Sequence, residues 1–403
     1  MTRKIIALIG LALLAGCSGG GGDSTTPSSA PAPLAQPDML TATDQGLQRG
    51  KANGQEQRLI LAQPNMHISS PTISQGHVFY GNAGDVWAVR TDGTGNRAVV
   101  NTPDREFIAT TNGPWLIYGQ YIAQPSGSLL TRYGSANIDT GARFQFDDPG
   151  STGFMPQNDT RLISTNLELQ ISSITNSGTD RLTYDSRTPG GPLLATQQIV
   201  GQTLIYSRSG SSAPSTSYSR ALAIPLSGGV ATQLDEDQYD TYSVWSIGDR
   251  VIYHRCLNSS CDVASIRTNG ASRVVLTTHP ANEAVQGTVG NQVIIRRNLS
   301  GTDQLIAVPV TGGPERLLMT MTNDDMVILT TDLLAIVSRP TGIWTVDMGG
   351  TLNQISEIDT HFGAMIVGNA LCFNHAVAAY CTPLDGSPPA VKIADTGNVI
   401  GAL

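Results

Sequence analysis

What most constrains this chain is a turn that keeps returning. Glycines that close an alternating apolar run fall at Gly93, Gly141, Gly178, Gly228, Gly270, Gly312, Gly349 and Gly386, at spacings of 48, 37, 50, 42, 42, 37 and 37. Ahead of each turn stands a short strand-like run such as Val86-Trp87-Ala88-Val89 or Leu305-Ile306-Ala307-Val308. Asp-Gly and Gly-Gly between alternating runs make tight hairpins because the turn needs φ > 0. A second run recurs upstream, in Gly76-His77-Val78-Phe79-Tyr80, Gly248-Asp249-Arg250-Val251-Ile252-Tyr253 and their counterparts near Gly201 and Gly290. A period near 42 residues with several short strands in each unit is that of a four-stranded propeller blade. The chain is therefore expected to be all-β, a β-propeller of four-stranded antiparallel blades over residues 55–403, with eight blades and seven as the alternative. Arg58-Leu59-Ile60-Leu61 has the form of a unit's last strand, such as Glu315-Arg316-Leu317-Leu318, and is expected to close the ring against the last blade.

Composition agrees. Among 403 residues there are 43 Gly and 22 Pro but only 14% charged residues, which favours many short strands joined by turns. The 24 basic and 32 acidic residues leave a net charge of −8, and a net acidic surface repels phosphate backbones, so no nucleic-acid partner is expected.

The first residues read as an export signal. Thr2-Arg3-Lys4 is a short positive segment, and Ile5 to Leu14 is an apolar stretch too short for a stable membrane span. Leu14-Ala15-Gly16-Cys17 resembles the lipobox of bacterial lipoproteins. That resemblance implies a signal peptide over 1–16, acylation of Cys17 and permanent attachment to a membrane. Ser18 after the cysteine, by the sorting rule of enteric lipoproteins, implies the outer membrane, with the protein facing the periplasm. Residues 17–54, rich in Gly, Ser, Thr, Pro and Ala, are expected to be a flexible tether.

Export permits disulfides. Cys256, Cys261, Cys372 and Cys381 allow three connectivities, of which Cys256–Cys261 with Cys372–Cys381 has the shortest closures. Zinc would need closer ligand spacing than either pair offers, with only His254 and His375 nearby.

The unit from Ser70 through Asp85-Val86-Trp87-Ala88-Val89-Arg90-Thr91-Asp92-Gly93 to Arg97 resembles the repeat of TolB-like β-propellers, and the period extends that resemblance over most of 55–403. It implies a fold and little about activity. Asn137-Ile138-Asp139-Thr140-Gly141-Ala142-Arg143-Phe144 resembles a single Asp-box of sialidase-type propellers, where the box is structural.

Catalytic motifs are missing: there is no Gly-x-Ser-x-Gly, no His-Glu-x-x-His and no phosphate-binding Gly-x-x-x-x-Gly-Lys-Ser/Thr. His67, His77, His254, His279, His361 and His375 are scattered over different units, and neither a metal nor a cofactor is implied. The links from the outer strand of one blade to the inner strand of the next reach the channel mouth, and they carry acids: Asp147, Asp148, Asp235, Glu236, Asp237, Glu283, Asp324, Asp325, Glu357 and Asp359. Asp148, Asp237, Glu283, Asp325 and Asp359 are thus the candidate ligand-binding residues, suited to a cation or a basic peptide. The insert Ser207–Ser219 is expected to project as a flap from the same face, and Trp87 and Trp344 to pack between blades. The functional expectation is a non-catalytic envelope module that binds a protein or peptide. The alternative is a propeller lyase or glycan-active hydrolase with its site in the channel.

Overall fold

The computed structural model describes residues 38–403 apart from 67–69, 147–150, 167–169, 187–192, 213–215, 237, 258–259, 300, 361 and 388. Its strands form nine four-stranded antiparallel sheets among the described residues, and they make a β-propeller. Blade 1 combines Asp38–Ala42, Gly46–Lys51 and Arg58–Ala62 from one end of the chain with Asn398–Ala402 from the other. Blades 2 to 9 are consecutive, over residues 72–100, 105–145, 151–185, 193–233, 240–275, 283–321, 326–356 and 362–394.

The recurring apolar-apolar-Tyr run is the second strand of a blade, and its position explains its composition. A strand covered on both faces needs no polar alternation. Val78 and Tyr80 enter the core shared with blade 1, while Phe79 between them enters the core shared with blade 3. Leu204-Ile205-Tyr206, Val251-Ile252-Tyr253 and Val293-Ile294-Ile295 divide their side chains in the same way. Nine such cores join neighbouring blades in a circle, the last joining Val367, Ala370 and Cys372 of blade 9 to Met39 and Ala52 of blade 1. Each fully buried aliphatic side chain contributes about 1.5 to 3 kcal/mol, so the stability of the ring is spread over its interfaces.

Nine blades replace the eight, or seven, that the turn period implies, and the reason is local. The missing turn is at Gly54, inside the stretch expected to be tether. Gly54 N donates to the Lys51 carbonyl at 2.9 Å with φ 80°, as Gly93 N does to the Arg90 carbonyl at 2.8 Å with φ 90°. Residues 38–51 therefore belong to the folded domain, which begins by Asp38 rather than at 55. In blade 8 the turn glycine is Gly350 rather than Gly349, donating to the Asp347 carbonyl at 3.0 Å. Arg58–Ala62 is the outer strand of blade 1, and closure is made instead by Asn398–Ala402 pairing with Asp38–Ala42.

Several of these turns rest on the preceding blade, which makes glycine necessary there. A Cβ at Gly93 would sit 2.3 Å from the Ile60 carbonyl oxygen of blade 1. Gly93→Val combines that clash with a left-handed backbone and is expected to cost at least about 2 kcal/mol in urea unfolding. Gly76→Asn, at a φ of 69° with open space around it, is expected to cost under about 1 kcal/mol.

Both expected disulfides are present. Cys256 faces Cys261 and Cys372 faces Cys381 directly across antiparallel hairpins. Loops this short contribute about 2 to 3 kcal/mol each by constraining the unfolded chain. The 207–219 insert is a ladder rather than a loose flap: Thr203–Ser212 pairs with Thr216–Pro225 out to Ser212 opposite Thr216. Cys17, His67 and His361 lie outside the described residues.

Candidate functional site

In seven of the nine blades the second strand ends, two residues beyond its buried run, in a polar side chain that grips the start of its own blade, the link leading into it or the end of the blade before. In blade 2, Gln63 Nε2 donates to Asn82 Oδ1 at 3.1 Å. In blade 3, Gln120 Nε2 donates to Thr102 Oγ1 at 3.0 Å. Arg208 meets Asp185 at 2.5 Å, Arg255 meets Asp235 at 2.9 Å, Arg297 meets Glu283 at 2.7 Å, Arg339 meets Asp325 at 3.2 Å and His375 meets Asp359 at 3.0 Å. Strand periodicity is the cause, since a residue two places past a buried aromatic points to the same side but lies beyond the core.

The acids expected to gather at the mouth are thereby distributed. Glu283, Asp325 and Asp359 are each one half of a brace in a different blade, while Asp148 and Asp237 lie outside the described residues. Glu283 and Asp325 are buried, and burial pushes the Glu283 carboxyl above its ordinary value against the pull of Thr277 and Arg297. Asp235 is the most connected. Its side chain is fully buried and accepts from Arg255 Nε, from Tyr253 Oη at 3.0 Å and from Arg273 Nη1 at 2.5 Å. Burial beside that carboxylate raises the Tyr253 phenol, which stays protonated as a donor. The Arg255 guanidinium also lies over the Tyr239 ring at 3.6 Å. A carboxylate saturated by a guanidinium in this way is a weak base and a poor cation ligand.

The histidines are likewise held apart. His254 Nε2 accepts the Val285 backbone N–H at 2.8 Å, linking blades 6 and 7, and His279 Nδ1 accepts from Ala281 N at 3.1 Å. Among the described residues, no three His, Cys, Asp or Glu side chains are grouped to hold a metal ion. Burial depresses His254 below its ordinary value. The folded chain then binds fewer protons than the unfolded one below about pH 6.5, so this contribution is present above that pH and is lost as pH falls toward the folded value. The midpoint of thermal unfolding is expected to drop between pH 7 and pH 5, and His254→Gln, which removes the titrating group, should flatten the drop.

The likeness to an Asp-box resolves into a blade turn. Asn137 Oδ1 accepts from Asp139 N and Thr140 N at 3.0 and 2.9 Å, and Phe144 is exposed. Trp87 packs into the core between blades 1 and 2, as expected.

A groove of about 490 Å³ opens at the mouth between blades 2 and 3, and it was not apparent from the sequence. Its walls are the Gln63–Asn65 segment, the Gly81–Asp85 turn and Arg105–Ile108 of the inner strand of blade 3. All three are pinned: Gln63 N and Asn65 N donate to the carbonyls of Gln45 and Asp44 at 3.1 and 2.8 Å, and Glu106 N donates to the Gly84 carbonyl at 2.6 Å. Glu106 is buried at 4% exposure, with Oε1 taken by Thr102 and Gln120 and Oε2 without a hydrogen-bond partner among the described residues. Behind the groove, the Phe107 ring covers Gly119 and stacks on Tyr121 at 4.8 Å. A run of rings continues through Tyr133 and Phe154 to Phe146 of the next interface. The only trace in the sequence is a charged pair, Arg105-Glu106, ahead of the apolar Phe107-Ile108-Ala109.

No family model matches the sequence, and no curated protein sequence matches it. Among solved structures, the chain is similar to one from a study of two prolyl endopeptidases, with a TM-score of 0.47 and 12% identity over 70% of this chain and 48% of that one. It is also similar to an oligogalacturonate lyase in complex with manganese, with a TM-score of 0.44 and 12% identity over 77% of this chain and 97% of that one. The chain spans about half the length of the first of these. Neither likeness bears on activity.

Proposed function

We propose that this chain is a membrane-tethered binding module of the bacterial envelope. Its Cys17 carries an acyl anchor, and its propeller mouth holds an envelope partner without transforming it. The anchor part rests on the Leu14-Ala15-Gly16-Cys17 motif behind an apolar leader. The binding part rests on one observation: the carboxylates Asp185, Asp235, Glu283, Asp325 and Asp359 are bound to basic side chains at the ends of the second strands of blades 5 to 9. General acid–base chemistry needs a group free to exchange its proton with a substrate. Braced pairs supply a rigid rim instead, and a rigid rim lowers the ordering cost of binding.

The test is retention with mass balance. Immobilised protein is exposed to solubilised envelope glycans and peptides, and whatever is retained is eluted and weighed by mass spectrometry. The expected result is a retained species of unchanged mass that an Arg105→Ala column fails to hold. A retained species recovered cleaved would overturn the non-catalytic reading. In cells fed labelled palmitate, Cys17→Ser should lose both the label and the membrane association.

A further inference from the structure

We propose that the Cys372–Cys381 disulfide is a redox latch on ring closure: it forms before blade 9 docks on blade 1, and only reopening of that seam exposes it again. Both disulfides bridge the second and third strands of a blade, yet they stand at different heights. Cys256–Cys261 lies one rung from Leu257 and Ser260, which are exposed towards the end of the hairpin, and both of its cysteines are partly exposed. Cys372 and Cys381 instead lie within the buried part of their strands, at 0% and 1% exposure. They point away from blade 8, whose core takes the neighbouring Leu371 and Phe373. Their side chains enter the core shared with blade 1, where Cys381 Sγ lies 3.8 Å from Met39 Sδ.

The cover over these sulfurs comes from blade 1. Met39 is on its second strand, Ala52 follows its third, and Val399 is on its inner strand. The turn at Gly54 also rests on blade 9, so closely that a Cβ there would sit 2.8 Å from Cγ1 of Val391, the residue paired with Cys381. Disulfides form and break by attack of a thiolate on a disulfide sulfur, so access sets the rate. In formation, one cysteine thiolate attacks a disulfide oxidant such as oxidised glutathione and expels one glutathione thiolate. The other cysteine then displaces the second; two electrons pass to the oxidant, and the two thiol protons end on its two thiol products. The closed core has no room for either step, and apolar surroundings also disfavour the attacking thiolate. A chain that closes reduced therefore stays reduced, and one that closes oxidised keeps its bond.

The experiment uses the acyl-free chain beginning at residue 18, which keeps only the four paired cysteines. The oxidised chain is exposed to dithiothreitol without denaturant and quenched with iodoacetamide at intervals, and alkylation of each cysteine is read by peptide mass spectrometry. Cys256 and Cys261 are expected to be alkylated first, with Cys372 and Cys381 at least about a hundredfold slower. Deleting residues 398–403 takes Val399 out of the cover and should speed the second pair by about tenfold or more while leaving the first unchanged. If circular dichroism shows that this chain has lost its sheets, Val399→Ala takes its place. In the other direction, reduced chain is refolded with oxidised glutathione added either before or after dilution from urea. Early oxidant should form both bonds, and late oxidant only Cys256–Cys261. Reduction of both pairs at one rate in the intact chain, or of neither, overturns the latch, as does a weakened seam that leaves Cys372–Cys381 just as slow. Equal yields of Cys372–Cys381 from early and late oxidant overturn the order of events. If the reduced chain does not fold, the reduction measurements decide, because they start from oxidised protein.

Discussion

Deleting residues 398–403 should lower the thermal midpoint by roughly 10 °C and raise the light scattered by the acyl-free chain. Those residues supply the inner strand of blade 1, pairing Met39 with Ala402 and Ala42 with Asn398 across a ladder with one bulge. Val399 and Ile400 of the same strand pack against the cores shared with blades 9 and 2. Losing several backbone hydrogen bonds at about 1 kcal/mol each, with that packing, removes on the order of 5 kcal/mol. It also uncovers the edge of Asp38–Ala42, and an open apolar strand edge invites pairing between chains. Calorimetry and static light scattering on the truncated chain are the check. An unchanged midpoint would mean that the ring does not depend on this strand.

The second large effect is expected at Asp235. Asp235→Ala leaves the Arg255 guanidinium buried with a vacated partner and the Tyr253 hydroxyl with only a long contact, 3.4 Å, to the Leu234 carbonyl. Breaking a buried pair from one side typically costs about 3 to 5 kcal/mol, because the surviving charge stays desolvated. Glu236→Ala is the natural comparison. Glu236 also pairs with Arg273, but it is nearly half exposed, and a pair of that kind contributes about 0 to 1 kcal/mol. Urea unfolding of the two variants should therefore differ severalfold. Asp235→Leu combined with Arg255→Met should recover part of the loss, since two apolar groups leave no buried charge behind.

How far the sequence could be read depended on what each residue reports. The apolar-apolar-Tyr runs and the turn glycines report their local geometry directly, so the propeller and the four-stranded blade were legible from them, as both disulfide pairs were from cysteine spacing. Gly54 marks a turn as plainly as Gly93 does, but its neighbours Ala52, Asn53 and Gln55 are as polar and small as a linker. Blade 1 was hidden because its apolar inner strand comes from the far end of the chain, and no local pattern carries that information. The site was less legible still. Acidic residues in the linking segments could be picked out, but their partners, Arg255, Arg297 and Arg339, lie 14 to 20 positions away on another strand. Whether a carboxylate is free or saturated is decided by such pairings, and sequence spacing alone does not reveal them. The groove draws on three separated segments, around Gln63, Ala83 and Arg105, none of which stands out singly.

The seam in blade 1 has a consequence for the order of events during synthesis. Because Leu403 N bonds to the Asp38 carbonyl at 3.0 Å, the Asp38–Ala42 strand finds its inner neighbour only when residues 398–403 have arrived. A ribosome delivers the chain from the other end, so blades 2 to 9 can form in sequence while blade 1 waits as three strands with an unfilled place. Closure of the ring then depends on Asp38–Ala42 and Asn398–Ala402 together. A chain cut short before residue 398 keeps an open ring, a ready substrate for the proteases that police unfolded proteins.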